Sequence, residues 1–139
     1  MIRDITADDI PWIASLCQRR YGFAEYDVGG GLIALGEAMR SPNAVAWRNA
    51  HGFLVGNIQI RIWAPKHRSL HILALCVEEG HHWDAVELLR ASVAWAGRQG
   101  CDQWWLSGSE SEHRIGPLAK RVGARLSAVY VIDLAKEAT

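Results

Sequence analysis

Residues 70–108 hold the pattern that most restricts what this chain can fold into. "LHILALCV" (Leu70–Val77) is apolar at nearly every position, as a strand covered on both faces reads. The polar turn "EEGHH" follows. An amphipathic helix, Trp83–Arg98, comes next, with Val86, Leu89, Val93 and Ala96 along one face and Gly100 of "RQG" as its C-terminal stop. "DQWWLSG" (Asp102–Gly108) reads as a second strand. Its Trp104 and Trp105 project to opposite faces, so both faces are expected to be covered. A strand, a helix and a strand in succession make a βαβ unit, which places its two strands parallel in one sheet. At the start of the helix, four backbone N–H groups lack partners and the helix dipole is positive, which suits a phosphate.

The remaining elements build around that unit. "IRDI" (Ile2–Ile5) is a short first strand. "TADDIPWIASLCQRR" opens a helix that Thr6 or Asp8 can cap, with Pro11 tolerated near its first turn and Ile10, Ile13, Leu16 and Cys17 on one face. "YGFAEYDVGGG" (Tyr21–Gly31) reads as a loop. Its glycines, Gly29–Gly31, have no clear strand before them and read as a flexible lead-in rather than a phosphate loop. "LIALGEAMR" (Leu32–Arg40) is a second helix, ended by "SPN". "AVAWR" (Ala44–Arg48) and "GFLVGNIQIRIW" (Gly52–Trp63) are strands joined by the hairpin "NAH". In the second of them Phe53, Val55, Ile58, Ile60 and Ile62 roughly alternate with smaller or polar neighbours, Gly56 marks a bulge, and "APKHRS" is the turn that follows. "SEHRIGPLAKRVGA" is an irregular last helix and "RLSAVYVIDL" (Arg125–Leu134) a closing strand. The order is β-α-α-β-β-β-α-β-α-β, an α/β (α+β) arrangement with a mixed central sheet flanked by helices.

A length of 139 residues, half of them hydrophobic, fits a single domain spanning 1–139. Fifteen basic and fifteen acidic residues cancel, so no general attraction to nucleic acid or to an anionic membrane is expected. No run approaches the roughly 20 apolar residues of a membrane span. "MIRDITADD" has no signal-peptide core. Cys17, Cys76 and Cys101 are an odd number in apolar surroundings, which reads as reduced, buried thiols in a cytoplasm. Seven tryptophans fill the core and its edges, or form an aromatic contact surface for a protein partner or a second copy of the chain.

The element order resembles that of the GNAT-type acyl-CoA N-acyltransferases. Local matches are "LCV" before a polar turn, "LLRASVAWAGRQGCDQWWL" as the family's central helix and next strand, and "HRIGPLAKRVGARLSAVYVIDL" as its last helix, turn and closing strand. The short chain is similar to phage-encoded members of the group. The resemblance implies a GNAT-like fold in which the strands Leu70–Val77 and Asp102–Gly108 splay apart at their C-terminal ends. The pantetheine arm of acetyl-CoA would lie in the gap against Leu75, Cys76 and Val77, and the pyrophosphate at His81, His82, Trp83, Asp84 and Ala85. Two departures stand out. The family's [RQ]-G-x-G turn is replaced by "VEEGHHWDAVELL", with histidines near the usual cation and Trp83 and Asp84 near the usual glycines. Asp84 is a candidate helix cap that would occupy the amides a phosphate needs. Ala119, in "LAKRVGA", stands where a tyrosine often protonates the departing thiolate.

Acyl transfer to an amine needs a base and an oxyanion site. Candidate bases are Glu78, Glu79, His71 and His113, and a bulge near Cys76–Val77 is a candidate for the oxyanion. Each has a plainer role: a hydrogen-bonded core histidine for His71, a solvated turn for Glu78 and Glu79, a helix start for His113. Cys76 reads as a structural thiol, and the histidines lack metal-ligand spacing, so no metal is expected. Two functions stand side by side. One is an acetyl-CoA-dependent N-acyltransferase taking an amine, with a divergent pyrophosphate cradle. The other is a catalytically inactive interaction or assembly module without a cofactor, for example in a phage particle.

Overall fold

The computed structural model describes residues 1–21, 28–106 and 115–125. The elements are β1 (Arg3–Asp4), α1 (Ile10–Tyr21), α2 (Val28–Arg40), β2 (Ala44–Arg48), β3 (Gly52–Arg61), β4 (Ala64–Val77), α3 (His82–Arg98), β5 (Gln103–Leu106) and α4 (Ile115–Arg121). The five strands form one sheet in the order β1-β2-β3-β4-β5. The first three pairings are antiparallel, and β4 runs parallel to β5 as the βαβ pattern requires. The closing strand expected over Arg125–Leu134, apart from Arg125 itself, and the loop bearing His113 lie outside the described residues.

Helices cover both faces. Ile13, Leu16 and Cys17 of α1 and Leu35 of α2 pack with Ala46, Phe53, Val55 and Cys76 on one face. Leu88, Leu89 and Ala96 of α3 pack with Val45, Leu54, Leu70 and Ile72 on the other, where Leu118 and Val122 close the cluster. On α3 the buried residues are Ala85, Val86, Leu88, Leu89, Ser92 and Ala96, so Val86, Leu89 and Ala96 lie inside as expected. Val93, expected on that face, is exposed. Ser92 takes its place because its Oγ donates to the Leu89 carbonyl at 2.7 Å and accepts the Trp104 indole N–H at 2.9 Å, which satisfies a buried hydroxyl and fastens α3 to β5. The helix stops as expected. Gly100, at φ 76°, allows Cys101 N–H to reach the Ala96 carbonyl and its own N–H to reach Gly97.

The feature that shapes the sheet is a bulge in β4. Val55 pairs with Ala74 but Gly56 pairs with Ile72, which leaves Leu73 unpaired and 57% exposed. The extra residue reverses the side-chain alternation. Before it, Leu70 and Ile72 face α3. After it, Ala74 and Cys76 face α1 and α2. Gly56 is needed opposite the bulge because a Cβ there would lie 3.1 Å from the His71 carbonyl and 3.3 Å from the Leu70 and Ile72 side chains. Gly56→Ala is expected to cost about 2 kcal/mol through overpacking. Gly97→Ala, on the exposed side of α3 with no atom near the new methyl, is expected to stabilise by up to about 1 kcal/mol. Urea unfolding of the two variants checks the contrast.

Several boundaries differ from the sequence reading. The glycines Gly29–Gly31 fall in the first turn of α2, because a helix tolerates glycine when its later residues, such as Leu35, are anchored in a core. The β3–β4 turn is at Ile62–Trp63, and "APKHRS" belongs to β4. Pro65, Lys66 and His67 form an irregularity between the pairs Arg61↔Ala64 and Ile60↔Arg68, so Pro65 need not donate to the ladder. Ile60 and Ile62 are therefore exposed near the hairpin tip. β4 is not covered throughout, since Leu73 is exposed. Among the described residues no helix is long and apolar enough to cross a membrane.

None of the three cysteines is in a disulfide. Cys17 and Cys76 are buried, and half-buried Cys101 has its thiol pushed upward by desolvation. The tryptophans do not gather into one surface. Trp12 stands edge-on to Phe53, Trp47 to Trp95, and Trp105 stacks on His71. The exposed pair, Trp63 and Trp83, lie beyond opposite ends of β4, the long strand between them.

Candidate functional site

The parallel pairing of β4 with β5 runs from Ser69↔Gln103 to Ile72↔Leu106. Among the described residues it goes no further, although β4 continues to Val77. The bulge residue Leu73 comes directly after the last pair described. Leu75, Cys76 and Val77 lie on β4 beyond the last pair described. The bulge lies at Leu73, not near Cys76–Val77 as the sequence reading had it. Cys76 itself points into the α1/α2 core.

Beyond β4 the chain turns through Gly80, at φ 82°, into α3. His81 precedes the helix with its N–H donated to the Glu78 carbonyl at 3.1 Å, and Asp84 N–H donates to the His81 carbonyl at 3.0 Å. Among the described residues no hydrogen bond takes the N–H groups of His82 and Trp83. The two side chains the sequence places here have contacts of their own. Trp83 is 56% exposed, and the guanidinium of Arg121 lies over its indole at 4.7 Å, a cation–π contact. The Asp84 carboxylate is no helix cap; it accepts the His51 N–H at 3.1 Å. Arg121, on α4, brings a cation to the helix start that the turn sequence lacks. Ala85 is fully buried beneath the turn.

The candidate bases are spread apart. His71 precedes the bulge on the sheet face opposite Leu70 and Ile72, half-buried, with Nε2 3.0 Å from Ser69 Oγ and its ring stacked on Trp105 at 5.8 Å. Glu79 is exposed in the turn. Glu78 is no solvated turn residue. It lies 2.6 Å from His51 Nδ1 and 3.9 Å from Arg19, and its carboxyl is held below the usual range by the His51 hydrogen bond, with help from Trp12 and Arg19. Ala119 lies in α4, where its carbonyl accepts the N–H groups of Val122 and Ala124.

Sequence reasoning missed His51 and Asn49. Both sit in the β2–β3 hairpin, which the Gly52↔Val77 pair sets beside the end of β4. Buried Asn49 donates to the Asp84 carbonyl and to Glu87, each at 2.9 Å, and accepts the Gly52 N–H at 3.0 Å. The polar tip "RNAHG" was the available signal, but its neighbours depend on register. A groove of 590 Å³ beside β1, β2 and α3, lined by Arg3, Trp47 and Arg98 among others, lies toward the opposite edge of the sheet from β5.

Solved structures share this architecture over nearly the whole chain. A probable acetyltransferase superposes with a TM-score of 0.76 at 16% identity, covering 96% of this chain and 97% of that one. A transcriptional regulator from Bacillus halodurans superposes with a TM-score of 0.81 at 14% identity, covering 96% and 97%. Aminoglycoside N-acetyltransferase AAC(6')-Iy, in complex with CoA, gives 0.76 at 13% identity, covering 96% and 92%. No protein-family model matches the sequence, and no curated protein does. The chain has the GNAT acetyltransferase fold; at these identities the likeness is one of fold, and fold alone does not carry activity.

Proposed function

We propose that the chain transfers an acyl group from acyl-CoA to an amine. The observation that supports this reading is the start of α3 directly beyond β4, where among the described residues no hydrogen bond takes the N–H groups of His82 and Trp83; the gap beside β4 is the part the fold likeness implies. The amides of His82 and Trp83, the dipole of α3 and the cation of Arg121 would hold the pyrophosphate. His82 is the better placed of the two histidines, since His81 stacks on His51. The pantetheine arm would run back along β4 toward Leu73, four residues or about 13 Å from Val77. That brings the thioester beside the bulge, where His71 is the nearest of the candidate bases on β4. A bound thioester supplies the electrophilic carbonyl.

His71 would take the proton as the amine nitrogen bonds to that carbonyl and the carbon–sulfur bond breaks. The thiolate leaves without a dedicated acid, because a thiol of pKa about 8.5 is a competent leaving group near neutral pH. The absent tyrosine is therefore tolerable. The inactive-module alternative drew on a plugged cradle and a tryptophan surface. Asp84 instead bonds to His51, Trp83 meets Arg121, and the exposed tryptophans lie beyond opposite ends of β4, which supports transfer over the module.

Acetyl-CoA at about 100 times its Kd should add roughly 2.7 kcal/mol of apparent stability in a thermal-shift titration. Arg121→Ala and His82→Ala should each reduce the shift. No shift at millimolar acetyl-CoA rules out this donor.

A further inference from the structure

The cluster of His51, Glu78 and His81 takes no part in the transfer chemistry above. We propose that these three side chains form a binding site for a divalent transition-metal ion of the zinc type, at the junction of the β2–β3 hairpin and the turn into α3. One ligand atom from each lies within 4.8 Å of the other two. His51 Nδ1 is 2.6 Å from Glu78 Oε2, and the two imidazoles stack with centroids 3.7 Å apart at 20°.

The backbone holds the three residues in place. His51 N–H is bonded to Asp84 Oδ2 at 3.1 Å, and the His51 carbonyl accepts Glu78 N–H at 2.8 Å. Gly80, in the left-handed region, reverses the chain so that His81 returns over His51. Donor atoms around tetrahedral zinc, with bonds of about 2.0–2.2 Å, sit roughly 3.3 Å apart. Capture of an ion therefore opens the short His51–Glu78 contact, draws the more distant donors inward by up to about 1.5 Å, and turns the His51 and His81 rings out of their stack, because each nitrogen lone pair lies in its ring plane. Two imidazoles and one carboxylate suit zinc, cobalt, nickel or copper better than magnesium or calcium. Arg19 approaches Oε1 of Glu78, which leaves Oε2 for the ion and orients the carboxylate from behind. The side chains of His51 and Glu78 are 40% and 28% exposed, so solvent can fill a fourth position.

The test uses the tag-free, chelator-treated full chain, titrated with Zn²⁺ by calorimetry and with Co²⁺ by visible absorption. One equivalent should bind, and Co²⁺ should show the intense absorption of a tetrahedral site. His51→Ala, His81→Ala and Glu78→Gln should each weaken binding at least about tenfold. His67→Ala and His82→Ala should leave it unchanged. His81 and His51 are partly exposed, so their variants should keep the wild-type circular dichroism. Absence of stoichiometric binding overturns the proposal. So does binding that survives His81→Ala, or binding lost in His82→Ala.

Discussion

His71→Ala should lower kcat for acyl transfer by about 10² to 10⁴ while leaving the thermal shift from acetyl-CoA unchanged. The split follows from position. His71 is on the strand before the bulge, beside the last β4–β5 pair described, whereas the proposed cradle lies past the C-terminal end of β4. A base accounts for lost turnover with retained donor binding. A packing residue would lower the melting temperature and reduce both readouts together. His71→Gln preserves a polar, hydrogen-bonding side chain of similar size but cannot carry the proton, so its rate should fall nearly as far. A His71→Gln enzyme within threefold of wild type would remove His71 from the chemistry.

The largest stability effect should come from Asp9. Its buried carboxylate receives both terminal nitrogens of Arg3 at 2.8 and 2.7 Å, Arg48 Nη1 at 3.0 Å and Thr6 N–H at 2.8 Å. One side chain thus ties β1, the start of α1 and β2 together. Asp9→Asn should cost about 3 kcal/mol in urea unfolding at pH 7, since Arg48, only 16% exposed, is left without its counter-charge. The hydrogen bonds from Arg3, with those from Thr6 and Arg48, hold the Asp9 carboxyl far below the usual range. A depressed folded-state pKa means that its stabilisation is complete above the unfolded value, about pH 3.9. It is lost as pH falls from there toward the folded value. Stability of the wild type should therefore decline on acidification more steeply than that of Asp9→Asn. Parallel acid branches, or a neutral-pH loss below 1 kcal/mol, would show that the cluster is only decorative.

The sequence disclosed what is encoded locally. The apolar run Leu70–Val77, the 3.6-residue stripe of α3 and Gly100 specify a strand, a helix and its stop within a short window, so the parallel pair was legible. Gly56 disclosed a bulge, because a glycine inside a strand signals close approach; which residue of the facing strand was extra depends on register, and only the pairing with β4 places it at Leu73. The β3–β4 turn was misread for a related reason. Polar "KHRS" looks like a turn, while apolar Ile62 and Trp63 look like strand, and their exposure at the tip follows from the sheet extending past its helices. The candidate site was legible only along β4 and α3. Arg48 meets Asp9 across 39 residues, and His51 meets Glu78 across 27. Nothing in the local pattern announces either pair, and Arg121 reaches Trp83 only because α4 packs back on α3.

The crossing of β4 from one apolar cluster to the other has a mechanical consequence. Leu70 and Ile72 belong to the layer under α3, while Ala74 and Cys76, a few residues on, belong to the layer under α1 and α2. Peeling either layer open drags the shared strand and spoils the fit of its opposite number. The two halves of the interior are thus coupled to melt in a single transition rather than in stages.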